Sequence, residues 1–157
     1  MKKIILSAAI LIAGFSVANA QAVANQTVTL TLANAISITL SAATSTFTFD
    51  NTAKFEGGLT NASAATATVK SNRPWSVTLK AATANFTGSI VTPMPASVLG
   101  VRLTGPAVFV PLSTTAVAFT SGAKGSSTFT VDYSANPGFI YDAGTYNMSV
   151  VYTATQQ

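Results

Sequence analysis

The fold is decided by a strict alternation in Trp75-Ser76-Val77-Thr78-Leu79, which returns in Thr128-Phe129-Thr130-Val131-Asp132-Tyr133. In both stretches every second residue is apolar, and most of the residues between them are Thr or Ser. Because successive side chains of a β-strand point to opposite faces, this pattern predicts strands with one buried face and one wet face. Antiparallel sheets commonly have this two-faced character.

The same period of two recurs along the rest of the chain. It predicts further strands at Val28–Leu32, Ile36–Leu40, Thr46–Phe49 and Tyr146–Tyr152, and shorter ones at Ala67–Lys70, Val98–Leu103, Val108–Val110 and Ala116–Phe119. Clusters of Gly, Pro, Asn and Asp separate these runs, and no long helical period interrupts them. We therefore predict an all-β domain over residues 21–157, a single antiparallel β-sandwich of the Ig-like or Greek-key type.

Residues 1–20 have the three parts of a secretory signal peptide. Lys2 and Lys3 give a positive start, Ile4–Val17 is almost entirely apolar, and Ala18-Asn19-Ala20 supplies the small residues of a cleavage site. We predict cleavage between Ala20 and Gln21, and therefore export to the periplasm, the cell surface or the medium. The apolar run is shorter than the roughly 20 residues of a membrane span, which favours a cleaved signal over a retained transmembrane helix. With the signal removed, the mature chain is predicted to have no membrane span.

The composition gives little indication of an enzyme. The 157 residues include no Cys and no His, which removes thiol catalysis, disulfides, Cys-ligated metals and the commonest general base. Only 8% of the residues are charged, compared with about 25% in an average soluble protein. The basic residues are spread along the chain and form no dense patch for nucleic acid. We predict a protein that is not an enzyme and has no metal, cofactor or nucleic-acid partner.

The four acidic residues lack the spacing of paired catalytic carboxylates or of a calcium loop. They are Asp50, Glu56, Asp132 and Asp142. Surface and turn roles are expected for all four, since Asp is a common turn residue. The position of Asp132 between two inward-facing residues predicts that its carboxylate faces solvent.

Aromatic residues provide the candidate ligand site. Phe139 and Tyr141 stand beside Asp142 in a loop sequence, and aromatic rings next to acceptor oxygens suit a glycan. The alternative is that these rings fold back onto the sheet. Trp75, the only Trp, is a further candidate for stacking on a sugar, although its alternation with Val77 and Leu79 favours a place in the core.

Self-association, or pairing with another surface protein, is the other interpretation. Gln26–Leu32 reads as an uncharged alternating strand near the chain start, and the predicted edge strands lack the Lys residues that block pairing between sheets. The segment is either an ordinary first strand, a strand that completes its own sandwich, or one that adds to a neighbour's sheet.

Three places carry a resemblance to known families. Asn72–Leu79 places a Trp at the head of a strand, Asp142–Tyr146 resembles the turn that opens the last strand of many secreted β-sandwiches, and Val150–Thr155 closes the chain. The chain resembles WxL-type cell-surface domains and, more loosely, pilin-like and spore-coat-U-like domains, although Ser76-Val77 and Tyr152-Thr153-Ala154 depart from the WxL motifs. The resemblance implies a secreted bacterial structural or adhesion protein, such as a matrix or fimbria-like subunit. A carbohydrate-binding module is the alternative.

Overall fold

The computed structural model describes residues 21–88 and 91–157, and the contacts among them place a β-sandwich in residues 33–157. The predicted signal peptide, including the residue before its cleavage site, lies outside the described residues. The strands of the described part are β1 (Ile36–Leu40), β2 (Leu59–Ser71), β3 (Trp75–Ala81), β4 (Thr87–Gly88), β5 (Leu99–Leu103), β6 (Val110–Pro111), β7 (Val117–Gly122), β8 (Gly125–Ala135), β9 (Tyr146–Asn147) and β10 (Val150–Gln156). A helix, α1 (Thr52–Gly57), precedes β2, and a 3-10 turn (Ala96–Val98) precedes β5.

Two antiparallel sheets form the sandwich, as the alternation predicts. The larger sheet has the order β1-β2-β8-β5-β6, and the smaller one has the order β10-β3-β7. A separate two-stranded pair joins β4 to β9. The predicted all-β sandwich is therefore confirmed.

The strand register defines two ends of the sandwich. At one end, which we call the root pole, β1 begins beside the end of β2, with Ile36 opposite Ser71, and β10 ends beside Trp75. At the other end, the loop pole, β2 begins at Leu59 opposite Ala135, and β10 begins at Val150 opposite Ala81. β10 therefore runs from the loop pole to the root pole.

The core lies between β3 on one side and β5 and β8 on the other. Leu79, Val101 and Val131 are completely buried there, and Val77 is almost so. Trp75 is also buried and packs with Val69 and Val77. The core interpretation of its alternation is the one that the structure supports.

Two of the predicted strands are absent. Val28–Leu32 has no regular secondary structure, and the first strand is β1. Thr46–Phe49 is also irregular, although Phe47 and Phe49 are half-buried against the core. The predicted strand Tyr146–Tyr152 is interrupted after Asn147. In the first two cases the sequence has the pattern of a strand, but among the described residues no strand pairing is assigned there.

The six-residue helix α1 was not predicted, since a single turn leaves no periodic signal. Its start is fixed by Asn51, whose side chain accepts a hydrogen bond from the Lys54 backbone N–H. The Lys54 ammonium lies 2.7 Å from a carboxylate oxygen of Asp50, and this hydrogen-bonded ion pair lowers the pKa of Asp50. The helix carries Phe55 to the loop pole.

Asp132 is buried, so the expectation that it faces solvent is wrong. Its side chain points away from the core, but it accepts hydrogen bonds from the Thr104 hydroxyl at 2.5 Å, the Ser63 N–H at 2.8 Å and Arg102 Nε at 3.0 Å. These bonds, led by that from Thr104, lower the pKa of Asp132. Ser63 lies in a bulge of β2 with a φ of 54°, a left-handed conformation that the bond to Asp132 helps to hold.

Candidate functional site

The outer side of β10 is an open edge of the smaller sheet. β10 pairs with β3 on one side only, and β1 is likewise the outer strand of the other sheet. The row of N–H and C=O groups along the free side of an edge strand is a template for a further strand. No Lys, Arg, Asp or Glu stands in β10 or in β1 to block such pairing.

Side chains that point into the sandwich along this edge are incompletely covered. Ile36 and Ile38 of β1 and Val150 and Tyr152 of β10 are only half-buried, and Leu40 is 40% exposed. The neighbouring strand β3 differs, since Leu79, directly opposite Tyr152, is fully buried. The inward-facing side chains are therefore fully covered at β3 and only partly covered at β10.

A groove of about 1140 Å³ lies at the loop-pole end of this edge, where its lining includes Leu40 of β1 and Val150 and Tyr152 of β10. Its walls are the irregular segment 42–47, the start of β10 and the loops of the loop pole. The apolar lining includes Phe47, Phe49, Phe86, Leu99, Met148 and Val150. A groove with these apolar side chains in its lining, beside the free edge of a strand, has the chemistry to accept an extended peptide.

Two tyrosines meet at the inner wall of the groove. The hydroxyl groups of Tyr133 and Tyr152 lie 2.6 Å apart and hydrogen-bond across the two sheets. Burial raises the pKa of both hydroxyls, and for Tyr152 the bond to Tyr133 raises it further. Both rings stay uncharged at neutral pH, so the groove wall carries no phenolate.

Aromatic rings form a cluster at the loop pole. Phe49 lies 5.3 Å from Phe55, and Phe55 stacks on Phe139 at 5.3 Å with an angle of 24° between the rings. Phe139 remains 60% exposed, and its neighbour Ile140 is 74% exposed. One ring face thus reaches the surface, while the cluster behind it holds the ring in place.

The other predicted ligand residues are only partly assembled around this cluster. Tyr141 is half-buried, and Asp142 is exposed, with its side chain accepting a hydrogen bond from the Thr92 hydroxyl at 3.1 Å. The groove lining includes Phe139, Tyr141 and Asp142. Trp75 is buried at the opposite pole, so the structure does not bring it to the other three.

A polar clasp, formed by Asn72 and Gln156, holds the start of the sandwich at the root pole. The Asn72 side chain donates to the Ala33 carbonyl at 2.7 Å and accepts from the Ala35 N–H at 3.0 Å. The Gln156 amide nitrogen lies 2.8 Å from the Ala35 carbonyl and 2.9 Å from Asn72 Oδ1. Residues 33–35 are therefore fixed in place. No sequence pattern indicated this clasp.

Residues 21–32 immediately precede the residues 33–35 that the clasp holds. They have no regular secondary structure, and their larger apolar side chains are 72–86% exposed: Val23, Val28, Leu30 and Leu32. Val28, Leu30 and Leu32 alternate with Thr, so a strand made from this segment would present all three on one face. Exposed apolar residues in such a row are the usual mark of an interaction segment.

The chain matches no protein-family model, and no curated protein is significantly similar to it. Within residues 21–88 and 91–157, no group of three or more Asp, Glu, His or Cys side chains is placed to hold a metal ion. No helix in the described part of the chain is long and apolar enough to cross a membrane.

Proposed function

We propose that the protein is an exported structural subunit that assembles with copies of itself, each copy placing residues 21–32 in the groove of the next. The observation that carries this proposal is the half-buried inward face at the loop-pole end of β10 and β1, beside the free edge of β10. A donated strand would pair with the free edge of β10 and bury Val28, Leu30 and Leu32 against the groove wall.

The length of the segment matches the length of β10. A strand rises about 3.3 Å per residue, so twelve residues reach about 40 Å, and the seven residues of β10 need about 23 Å. The alternating part from Gln26 to Leu32 equals β10 in length. The donated apolar face is uncharged, as the groove requires, because burial of an unpaired charge would cost several kcal/mol.

Donation to a second copy is favoured over return to the chain's own groove. Ala33 and Ala35 are held by Asn72 as a continuation of β1. A segment that folded back beside β1 would have to reverse within these residues and break those hydrogen bonds. Insertion into another copy keeps all of them.

The experiment compares mature Gln21–Gln157 with a chain that begins at Ala33. Light scattering and negative-stain microscopy over a concentration series are expected to show growing, regular oligomers for the first and monomers for the second. A synthetic peptide of residues 21–32 should bind the shorter chain, whereas a control peptide with Val28, Leu30 and Leu32 replaced by Thr should not. A monomer at every concentration, with no peptide binding, would contradict self-assembly.

Glycan binding at the loop pole is the second candidate function. The observation in its favour is the exposed face of Phe139, held flat by Phe55 beneath it. A ring held in this way is a platform for the apolar face of a sugar. Binding of a polysaccharide to the chain that begins at Ala33, lost in Phe139→Ala and kept in Val108→Ala, would support this function instead. Val108 serves as the control because it is exposed on another loop.

A further inference from the structure

The charged side chains of the sandwich are divided between its two poles. Lys70, Arg73 and Lys124 lie at the root pole and are exposed, and no acidic side chain accompanies them among the described residues. Asp50, Glu56 and Asp142 lie at the loop pole, where Lys54 pairs with Asp50 and Lys80 stands near the end of β3. The remaining pair, Arg102 and Asp132, neutralises itself between the poles. In a chain with so few charges, one pole is therefore positive and the other is acidic.

The length of the connection limits how far apart two joined copies can lie. Leu32 ends the alternating stretch, and only residues 33–35 separate it from β1. The four residue steps from Leu32 to Ile36 span at most about 14 Å, and the clasp holds residues 33–35 against Asn72. The root pole of the donor copy must therefore lie against the acceptor copy, close to the point where Leu32 leaves the groove.

The direction of insertion decides which pole of the acceptor is met. A donated strand parallel to β10 would bring Leu32 to the acceptor's root pole, where the acceptor's own residues 33–35 already lie. Successive copies would then crowd at one pole. An antiparallel strand brings Leu32 to the loop pole instead, and this arrangement repeats without obstruction as an open head-to-tail chain.

We infer that the positive root pole of one copy docks on the acidic, aromatic loop pole of the next, as a second contact surface beside the groove. This inference rests on the proposed function and names a further part of the same interface. The contact covers Phe139 and Ile140, which are otherwise exposed, and brings Arg73 and Lys124 towards Glu56 and Asp142. Charge complementarity of this kind mainly accelerates encounter and fixes orientation, and salt weakens it.

The test uses the mature chain with charges reversed at one pole or at both. Arg73→Glu with Lys124→Glu, and separately Glu56→Lys with Asp142→Lys, should each slow fibre growth about tenfold at low salt, because each puts like charges in contact. The two changes combined in one chain should restore growth to nearly the original rate. Thr128→Glu adds a negative charge at an exposed position of the middle strand β8 and should leave growth nearly unchanged.

The free peptide 21–32 separates this inference from the proposed function. It fills grooves without bringing a root pole, so it should stop the growth of wild-type and root-pole variant chains at similar concentrations. Reversed charges with no effect on growth, or a combined variant that is not restored, would overturn the docking of the poles while peptide inhibition leaves strand donation intact. Absence of both fibre growth and peptide binding would overturn the proposed function and, with it, this inference. Arg73→Gln with Lys124→Gln, expected to give a smaller slowing, replaces the reversed variant if that variant fails to fold.

Discussion

The two neighbouring strands of the smaller sheet, β3 and β10, differ in how completely their inward-facing side chains are buried. Leu79 and Ala81 of β3 are buried, whereas Tyr152 and Val150 of β10, which lie directly opposite them on the same face, are only half-buried. Both strands have the same kind of apolar inward residues. The difference shows that burial here is set by the number of strands around a residue and not by its own hydrophobicity.

The largest effect on stability is expected at Asp132, in the strand β8, which is paired on both sides. Asp132→Ala leaves the Ser63 N–H, the Thr104 hydroxyl and Arg102 without their shared acceptor, and should lower the free energy of unfolding by about 3 kcal/mol in urea titrations. Asp132→Asn, which keeps an acceptor oxygen, should cost less. Equal costs for the two variants would mean that the hydrogen bonds contribute little.

The same carboxylate makes stability depend on acid. Its pKa is below the ordinary value of 3.8 in the folded protein, so its contribution is complete above the unfolded pKa and is lost as the pH falls through the lower folded pKa. Urea unfolding between about pH 5 and pH 2 should show a steeper loss of stability for the native chain than for Asp132→Ala. Parallel profiles for the two chains would contradict the assignment.

A matched pair of Val→Ala substitutions measures the difference between the strands directly. Val77→Ala should cost about 2–3 kcal/mol, because it removes two buried methyl groups and leaves a cavity, whereas Val150→Ala should cost less than about 1 kcal/mol. The measurement is urea unfolding of the chain that begins at Ala33, so that no donated strand is present. Addition of the peptide 21–32 should then increase the cost at Val150 and leave that at Val77 unchanged.

The smallest effect is expected in the backbone of Thr46–Phe49. This stretch has the alternation of a strand and lies beside the groove, but it is irregular in the structure. If its missing partner is the donated strand, the peptide should increase protection of its amides against hydrogen exchange, together with those of β10. Protection of β10 without any change at residues 46–49 would show that the peptide pairs on one side only.

The sequence predicts the sandwich well because alternation reports which face of a strand is buried. It fails where the pattern alone cannot tell whether a partner exists, as at Val28–Leu32 and Thr46–Phe49. It also misplaces Asp132, because a side chain on the outer face of a sheet can still be covered by a bulge and a loop from distant positions. The clasp at Asn72 and Gln156 depends on residues 84 positions apart, which no local pattern connects.

The course of β10 from pole to pole has a mechanical consequence for a chain of such subunits. Hydrogen bonds between antiparallel strands lie perpendicular to the strand direction. A pull along the axis of the chain would act along the length of a donated strand antiparallel to β10, and therefore across its hydrogen bonds. The whole ladder would then bear the load at once and would not open one bond at a time. A joint without disulfides or other covalent links would in this way resist tension through geometry alone.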